Sequence, residues 1–318
     1  MILCGFIMDI VMSMITRDST EKVGEEAFYK VWKSSLQIPY KLIILVDDSI
    51  SSRTRDFVKR FADEHGKELI VLKSRLYGYH KATRATARQT AIDIFFENTK
   101  ADWLFFQDDD FVLGDGWWEK ALQHISQSDV GLIWGIDYTP YWRGRIEWMS
   151  ARGFQEKSYA IQNFAIRGGL HDTLLRREAI EGVRLPPWLH VYEDAWIKRY
   201  VECKGFKWII IDVNNIHLRY AGDRLSKEDF VSMAKAASLL NLKTISLSQV
   251  LKVVFGLPGY IYYSSKAYKS LGKGITIWRE RASYYTKYYY YYIIYLLKRT
   301  RKFGNRSLCD VVLHGITY

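Results

Sequence analysis

The sequence predicts an α/β protein built on a doubly wound, mostly parallel sheet, followed by a helical C-terminal extension. Three observations carry that expectation. Continuous apolar runs stop abruptly in carboxylates, as buried parallel strands do when they open into a loop. Stretches with helical spacing alternate with those runs. After Leu225 the strand pattern fades into helices rich in Tyr and Lys.

The elements follow in order. Asp9 to Ile15 is a short apolar strand ending at "TRDS", and Glu21 to Ser35 has helical spacing through Phe28, Val31 and Trp32. "YKLIILVDDS" is a strand stopped by two aspartates, "TRDFVKRFADEHG" an amphipathic helix ended by Gly66, and "KELIVLKS" the next strand. A long helix over Thr83 to Glu97 leads to the strand "ADWLFFQ", which delivers Asp108, Asp109 and Asp110 side by side. Beyond Ser128 strands are expected at "VGLIWGIDY", "YAIQNFAIRG" and "KWIIIDV", and a helix at "EDAWIKRYVECKG". A domain over 1–225 is expected, with a nucleotide-binding half to about 125 and an acceptor half beyond it, then an extension over 226–318.

Composition bounds the alternatives. With 318 residues, 48% of them hydrophobic, the chain can bury a substantial core, and disorder is excluded for most of it. Three widely spaced cysteines suggest neither a disulfide framework nor a zinc ribbon. The opening "MILCGFIMDIVMSM" lacks a basic n-region and a small-residue cleavage site, so no secretory signal is expected. A cytoplasmic setting, peripheral on the inner face of a membrane, is the expected location. The net charge of +11 is concentrated: Ser265 to Arg306 holds eleven Lys or Arg and one acid, Glu280. Such a tail seeks phosphates, on lipid or on nucleic acid.

In open α/β sheets ligands bind beyond the carboxyl ends of the strands, which puts "TRDS", "VDDS" and "QDDD" along one rim. Three adjacent aspartates repel one another, and a divalent cation held with a substrate phosphate would relieve the conflict. On an extended stretch Asp108 and Asp110 would point the same way and Asp109 elsewhere. The plainer reading is a solvated acidic turn. "VDDSISSRT" offers Asp47 and Asp48 to a base or ribose, its plainer reading being a serine helix cap. Arg84 and Arg88 share a helix face and suit a pyrophosphate, or simply form a basic surface. Glu193 and Asp194 open a helix whose positive end favours acids, and they also suit a general base. His217 follows a strand, where a lone histidine is more often structural than a ligand.

In order and spacing, "SMITRDS", "LVDDS", "ATARQTAI", "LFFQDDDFVLGDGWW", "GGLHDTLLRREAI", "YEDAW" and "IHLRY" resemble the motifs of family 2 glycosyltransferases. The resemblance covers roughly Asp9 to Tyr220. It implies a GT-A type, Rossmann-like fold and metal-dependent, inverting transfer of a sugar from a nucleotide-diphosphate donor, UDP- or GDP-linked, to an acceptor hydroxyl. By the same resemblance Asp108 and Asp110 match the DXD residues that hold Mn²⁺ or Mg²⁺, with His217 joining metal or diphosphate. Thr16, Arg17, Asp47 and Asp48 match residues beside the nucleotide, Asp194 the catalytic base with Glu193 its neighbour, and Gly168 and Gly169 a segment under the acceptor. Gln107 stands where many members have Leu, and "VDDSI" lacks the common glycine after the acids.

"RASYYTKYYYYYIIYLLKRTRKF" combines tyrosines with basic residues, as an interfacial anchor does. The plainer reading is a helical subdomain with tyrosines packed on the core and lysines in water; the other places the tyrosines at headgroup depth, beside a lipid-linked or membrane-proximal acceptor. A nucleic-acid-binding tail and a nucleotidyltransferase are the competing readings. The first lacks any nucleic-acid module signature; the second lacks a glycine-rich phosphate loop with lysine near the first strand.

Overall fold

A computed structural model describes residues 8–137, 168–218, 226–242, 246–303 and 306–314. The chain divides into two compact units. One comprises Met1–Thr139, Gly169–Trp188 and Ile197–Arg219; the other comprises Pro140–Gly168, Leu189–Trp196 and Tyr220–Tyr318.

The first unit is a mixed α/β structure around an eight-stranded sheet. Its strands are β1 Ile10–Thr16, β2 Leu42–Asp47, β3 Glu68–Leu72, β4 Trp103–Gln107, β5 Phe111–Val112, β6 Val130–Asp137, β7 Asp172–Arg176 and β8 Lys207–His217. Their spatial order is β3-β2-β1-β4-β7-β6-β8-β5. The pairs β2–β3, β1–β2, β1–β4 and β6–β8 are parallel, as the βαβ alternation requires. β7 runs antiparallel between β4 and β6, and β5 runs antiparallel on the end of β8. Neither β7 nor the helix Trp117–Ile125 is among the elements expected from the sequence; the first is only five residues long and the second follows directly on a loop. The strand expected at "YAIQNFAIRG" lies outside the described residues except for Gly168.

Local chemistry explains the helices. Arg53–Glu64 buries Thr54, Phe57, Val58, Phe61 and Ala62, the spacing of one apolar stripe. Arg84–Asn98 begins at a capping box in which the Thr83 side chain accepts from the Thr86 N–H. The single helix expected over Glu21 to Ser35 is two, Ser19–Val23 and Glu25–Ser35, because Gly24 between them adopts φ 88°. Phe28 and Trp32 on the second meet Phe57 and Phe61, with ring centroids 5.0 and 5.3 Å apart. Each such buried aromatic contributes roughly 1.5–3 kcal/mol, so this aromatic layer firmly seats the helices that flank the β1 and β2 loops.

The described part of the second unit is helical after Ser226. Lys227–Leu239 and Leu247–Val254 start at capping boxes on Ser226 and Ser246, Leu257–Tyr268 follows, and Leu271–Phe303 runs for 33 residues. Trp278 Nε1 donates to the carbonyl of Val253 at 3.0 Å, pinning the long helix to Leu247–Val254. The tyrosine run divides between packing and solvent, with Tyr290 exposed. Tyr288 is fully buried, and Tyr284, Tyr288 and Tyr292 stack along the helix at 6.3 and 6.2 Å. A spacing of four residues keeps them on one face, with Tyr288 buried and Tyr284 and Tyr292 half-buried. No helix among the described residues is long and apolar enough to cross a membrane.

Candidate active site

The carboxyl ends of β1, β2 and β4 lie side by side because those strands are neighbours in the sheet, and their loops are stitched together by side chains. Asp48 N–H donates to the Thr16 carbonyl at 3.0 Å, carrying the β1–β2 ladder past Asp47. Asp18 N–H donates to Ser49 Oγ at 2.6 Å, and Ile50 N–H returns a bond to Asp18 Oδ1 at 3.0 Å. Asp18 itself has φ 55°, a conformation Asp tolerates better than most residues.

The two acids after β2 face different ways. Asp47 is buried, accepting from Ser49 N–H at 2.9 Å and facing Arg55 Nε at 3.2 Å. Asp48 accepts from the N–H and Oγ of Ser74 at 3.1 and 2.6 Å, which fixes its orientation at the end of β3. The serine cap expected for the following helix is not made: Ser52 occupies the cap position but its hydroxyl donates to Asp56.

The three aspartates after β4 form a turn rather than an extended stretch, closed by Phe111 N–H to the Asp108 carbonyl. Each then points to its own partner. Asp108 pairs with the buried Arg88 at 2.6 Å, Asp109 accepts from the Ser19 hydroxyl, and Asp110 lies 3.2 Å from His217 Nε2. Ser19 also bonds Thr16 Oγ1 at 2.6 Å, so the β1 and β4 loops are joined. The repulsion that poses the puzzle in the sequence is thus relieved by three separate side chains. Phe111 pairs across the sheet with His217, and Leu218 N–H donates to the Asp110 carbonyl at 2.7 Å. Arg84 is exposed one turn before Arg88, and Arg17 is exposed beyond Thr16.

Burial pushes the Asp108 carboxyl up, but the charges of Arg88, His171 and Arg84 outweigh it and hold the group at about 2. A carboxyl lowered on folding stabilises fully above its ordinary value, and that stabilisation is lost as pH falls through the folded value. The shift is worth on the order of 2 kcal/mol. Arg88→Met removes the largest of the three charges that hold Asp108 down and is therefore expected to lower unfolding free energy by a large part of this at pH 6, with the deficit shrinking toward pH 2. Urea denaturation at pH 6, 4 and 3 measures it, and a deficit independent of pH would assign the loss to packing instead.

Behind the turn lies a group the sequence reading did not single out. Asp172, at the start of β7 and opposite Gln107 of β4, is fully buried. Its Oδ2 accepts from Trp117 Nε1, Gly135 N–H and Asn215 Nδ2 at 2.7, 2.9 and 2.7 Å, while Oδ1 meets His171 Nδ1 at 2.6 Å. Burial pushes this carboxyl up against the bonds that pull it down. Asn215 Oδ1 accepts from Gly114 N–H at 2.8 Å, the His171 carbonyl accepts from Asp108 N–H at 2.9 Å, and the His171 ring stacks on Phe111. Asp172 therefore sets β6, β8 and the Asp108–Trp117 loop with respect to one another. Gly135 and Gly114 are required here: an added Cβ would lie 2.2 Å from Asp172 Oδ2 and 2.7 Å from the Asn214 carbonyl. The signal was in "GGLHDTLL", where a histidine and an aspartate open an apolar strand.

Thr16, Asp47, Asp48, Arg88, Asp108, Asp109, Asp110 and His217 thus line one connected set of loops in the first unit. Gly169 belongs to that unit also, 3.0 Å from His171 Nε2 by its virtual Cβ. Gly168, Glu193 and Asp194 fall in the second unit. Gly168 has φ 88°. Glu193 and Asp194 are buried in the first turn of the helix Glu193–Cys203, and Asp194 Oδ1 accepts from Ala195 N–H at 2.8 Å.

Among the described residues no group of three or more His, Cys, Asp or Glu forms a cation site. Asp108, Asp110 and His217 are not one three-donor set, because Asp108 turns to Arg88. Asp110 and His217 do fit a divalent cation: a carboxylate oxygen and an imidazole nitrogen 3.2 Å apart suit Mn²⁺ or Mg²⁺, which fill their remaining positions with water and substrate phosphate.

A sheet of this order with carboxylate loops at the ends of its parallel strands is a fold of the GT-A type. The chain belongs to glycosyl transferase family 2, whose profile matches residues 22–183, and it is a glycosyltransferase. No curated protein matches the sequence. Among solved structures it is similar to the mannosyltransferase PcManGT from Pyrobaculum calidifontis in complex with GDP-Man and Mn²⁺, with TM-score 0.50 and 12% identity over 96% of this chain and 79% of that one. It is also similar to S. aureus TarS 1-349 in complex with UDP-GlcNAc, with TM-score 0.49 and 11% identity over 92% of each chain. At these identities the likeness concerns the fold. Family membership removes the nucleotidyltransferase and the nucleic-acid-binding protein as accounts of the whole chain.

Proposed function

We propose that this protein is a metal-dependent, inverting glycosyltransferase that moves a sugar from a nucleotide-diphosphate sugar to an acceptor hydroxyl that is lipid-linked or close to a membrane, at the cytoplasmic face. The observation that carries the reading is the Asp110–His217 pair beside the Arg88–Asp108 ion pair, at the strand ends of a family 2 enzyme. The Mn²⁺ and nucleotide sugar named with PcManGT are in keeping with it.

In the reaction the acceptor oxygen attacks the anomeric carbon as the bond to the leaving diphosphate breaks, which inverts that centre once. Asp194 accepts the acceptor proton, and Glu193 lies beside it. Asp48, oriented by Ser74, accepts from the base, with Asp47 supporting its loop through Ser49 and Arg55. Thr16 and Arg17 border the nucleotide, Asp109 holds the β1 loop through Ser19 and meets the sugar, and Arg84 adds positive charge for the pyrophosphate. Arg88 keeps Asp108 ionised and in place. Gly168 and Gly169 leave room beneath the acceptor. Asp110 and His217 would hold a divalent cation, which when bound would neutralise charge on the leaving diphosphate.

Thermal unfolding with UDP-, GDP- and dTDP-sugars, with and without Mn²⁺, tests this reading. One nucleotide class is expected to raise Tm only with metal, by an amount that at 100 times Kd corresponds to about 2.7 kcal/mol. Metal alone should shift little, since two protein donors bind it weakly without phosphate. Asp110→Ala should abolish the shift. No shift with any donor, or one indifferent to metal, would sink the proposal.

A further inference from the structure

The helices after Ser246 carry an exposed apolar surface distinct from the tyrosine run. Leu247, Leu251 and Phe255 are spaced by four and form one stripe, with Phe255 77% exposed, while Val250 and Val253 on the other side are buried. The chain continues directly into a groove lined by Leu257, Pro258, Ile261, Tyr262, Ser265 and Leu271. Ile275 extends that wall one turn beyond Leu271 and is 48% exposed. Gly274 makes the groove possible, since a Cβ there would lie 2.9 Å from the Tyr260 carbonyl and the Ile261 backbone, so the two helices touch along their backbones. Of the fifteen large hydrophobic residues exposed among the described residues, six fall between Leu247 and Ile275. A soluble surface rarely concentrates apolar groups in this way.

Charge identifies the occupant. From Phe230 to Arg279 the chain has seven Lys or Arg and no Asp or Glu. Lys252, Lys266, Lys269 and Lys273 are exposed among the apolar positions just named. An apolar strip threaded with cations and free of acids is complementary to an anionic bilayer: the Leu, Ile and Phe side chains enter the acyl boundary, Tyr262 sits at headgroup depth, and the lysines meet lipid phosphates. A protein partner recognised by the same cations would need matching acids around an apolar knob. A nucleic acid would stack on Tyr262 and Phe255, but two exposed rings among four exposed aliphatic side chains suit acyl chains better than bases.

We infer that the face formed by Leu247, Leu251, Phe255, Tyr262, Leu271 and Ile275, with Lys252, Lys266 and Lys273, docks this enzyme flat on anionic membrane. This deepens the reading of a membrane-proximal acceptor and rests on it for its purpose, though not for its test. The contact lies upstream of the tyrosine run, and no crossing helix is involved.

Flotation of the full chain with phosphatidylcholine vesicles, with and without 30% phosphatidylglycerol (about a third, so that surface charge is substantial), tests the assignment. Binding is expected to anionic vesicles, weakened by salt, and reduced about tenfold or more by Leu251→Glu with Phe255→Glu or by Lys266→Glu with Lys273→Glu. Tyr290→Glu with Leu297→Glu, placed on exposed positions of the long helix, should bind as the parent does. Unchanged binding in the first two variants, or loss confined to the third, would overturn the inference. So would equal binding to a single-stranded oligonucleotide, or a dimer that the Leu251→Glu, Phe255→Glu variant dissolves without any vesicle binding. Each variant must keep the parent's Tm and its shift with nucleotide sugar. A donor shift without vesicle binding would remove the membrane face and leave the enzyme reading standing; vesicle binding without a donor shift would do the reverse.

Discussion

Asp194→Asn is expected to reduce turnover by about 10²–10⁴-fold, the usual contribution of a positioned general base. The substitution is nearly isosteric, and the asparagine carbonyl can still accept from Ala195 N–H, the bond that Asp194 Oδ1 makes at 2.8 Å. The helix start should therefore survive, with donor-induced stabilisation unchanged. Proton acceptance is removed, so kcat falls while donor KM holds. Nucleotide release from the donor that the stabilisation panel selects gives the rate. A variant retaining a tenth of parental turnover would show that Asp194 is not the base. In that case Glu193→Gln becomes the informative substitution, because Glu193 is buried in the same first turn.

Asp172→Leu is expected to remove several kcal/mol of stability, on the order of 4, since an orphaned buried donor costs about 1–3 kcal/mol and three are stranded at once. Those donors are Trp117 Nε1, Gly135 N–H and Asn215 Nδ2, all on one carboxylate oxygen. Against a typical total of about 5–15 kcal/mol this approaches unfolding at 37 °C. Asp172→Asn should lose far less: its carbonyl can face the three donors, and its amide can face His171 Nδ1 once that ring changes tautomer. Urea denaturation of the pair separates hydrogen bonding from shape. Equal stability of the two variants would mean that the network contributes little.

Much of this architecture was legible. "YKLIILVDDS" and "ADWLFFQDDD" became β2 and β4 with their acids just beyond, because an apolar run buried on both faces has few conformations open to it. Arg53–Glu64 followed from periodicity, and Arg84–Asn98 lies where a long helix was expected over Thr83 to Glu97. β7 was not legible: "DTLLR" is short, and nothing local says that it inserts antiparallel between β4 and β6. The tyrosine run left two readings open for a related reason. Composition suggests an interface, but spacing by four places Tyr284, Tyr288 and Tyr292 on one face, and the packing buries Tyr288.

By itself the sequence determined which acids stand at strand ends, since each acid cluster is covalently tied to the end of its own strand. What those acids do to one another was decided only in three dimensions. Arg88, Ser19 and His217, the separate partners of Asp108, Asp109 and Asp110, lie on a helix, on the β1 loop and at the end of β8, the last two far away in sequence. Periodicity reports whether a side chain is buried; which charge it meets depends on strand order and register. Those in turn come from burying the whole sheet at once, an energy to which no single segment has a local clue.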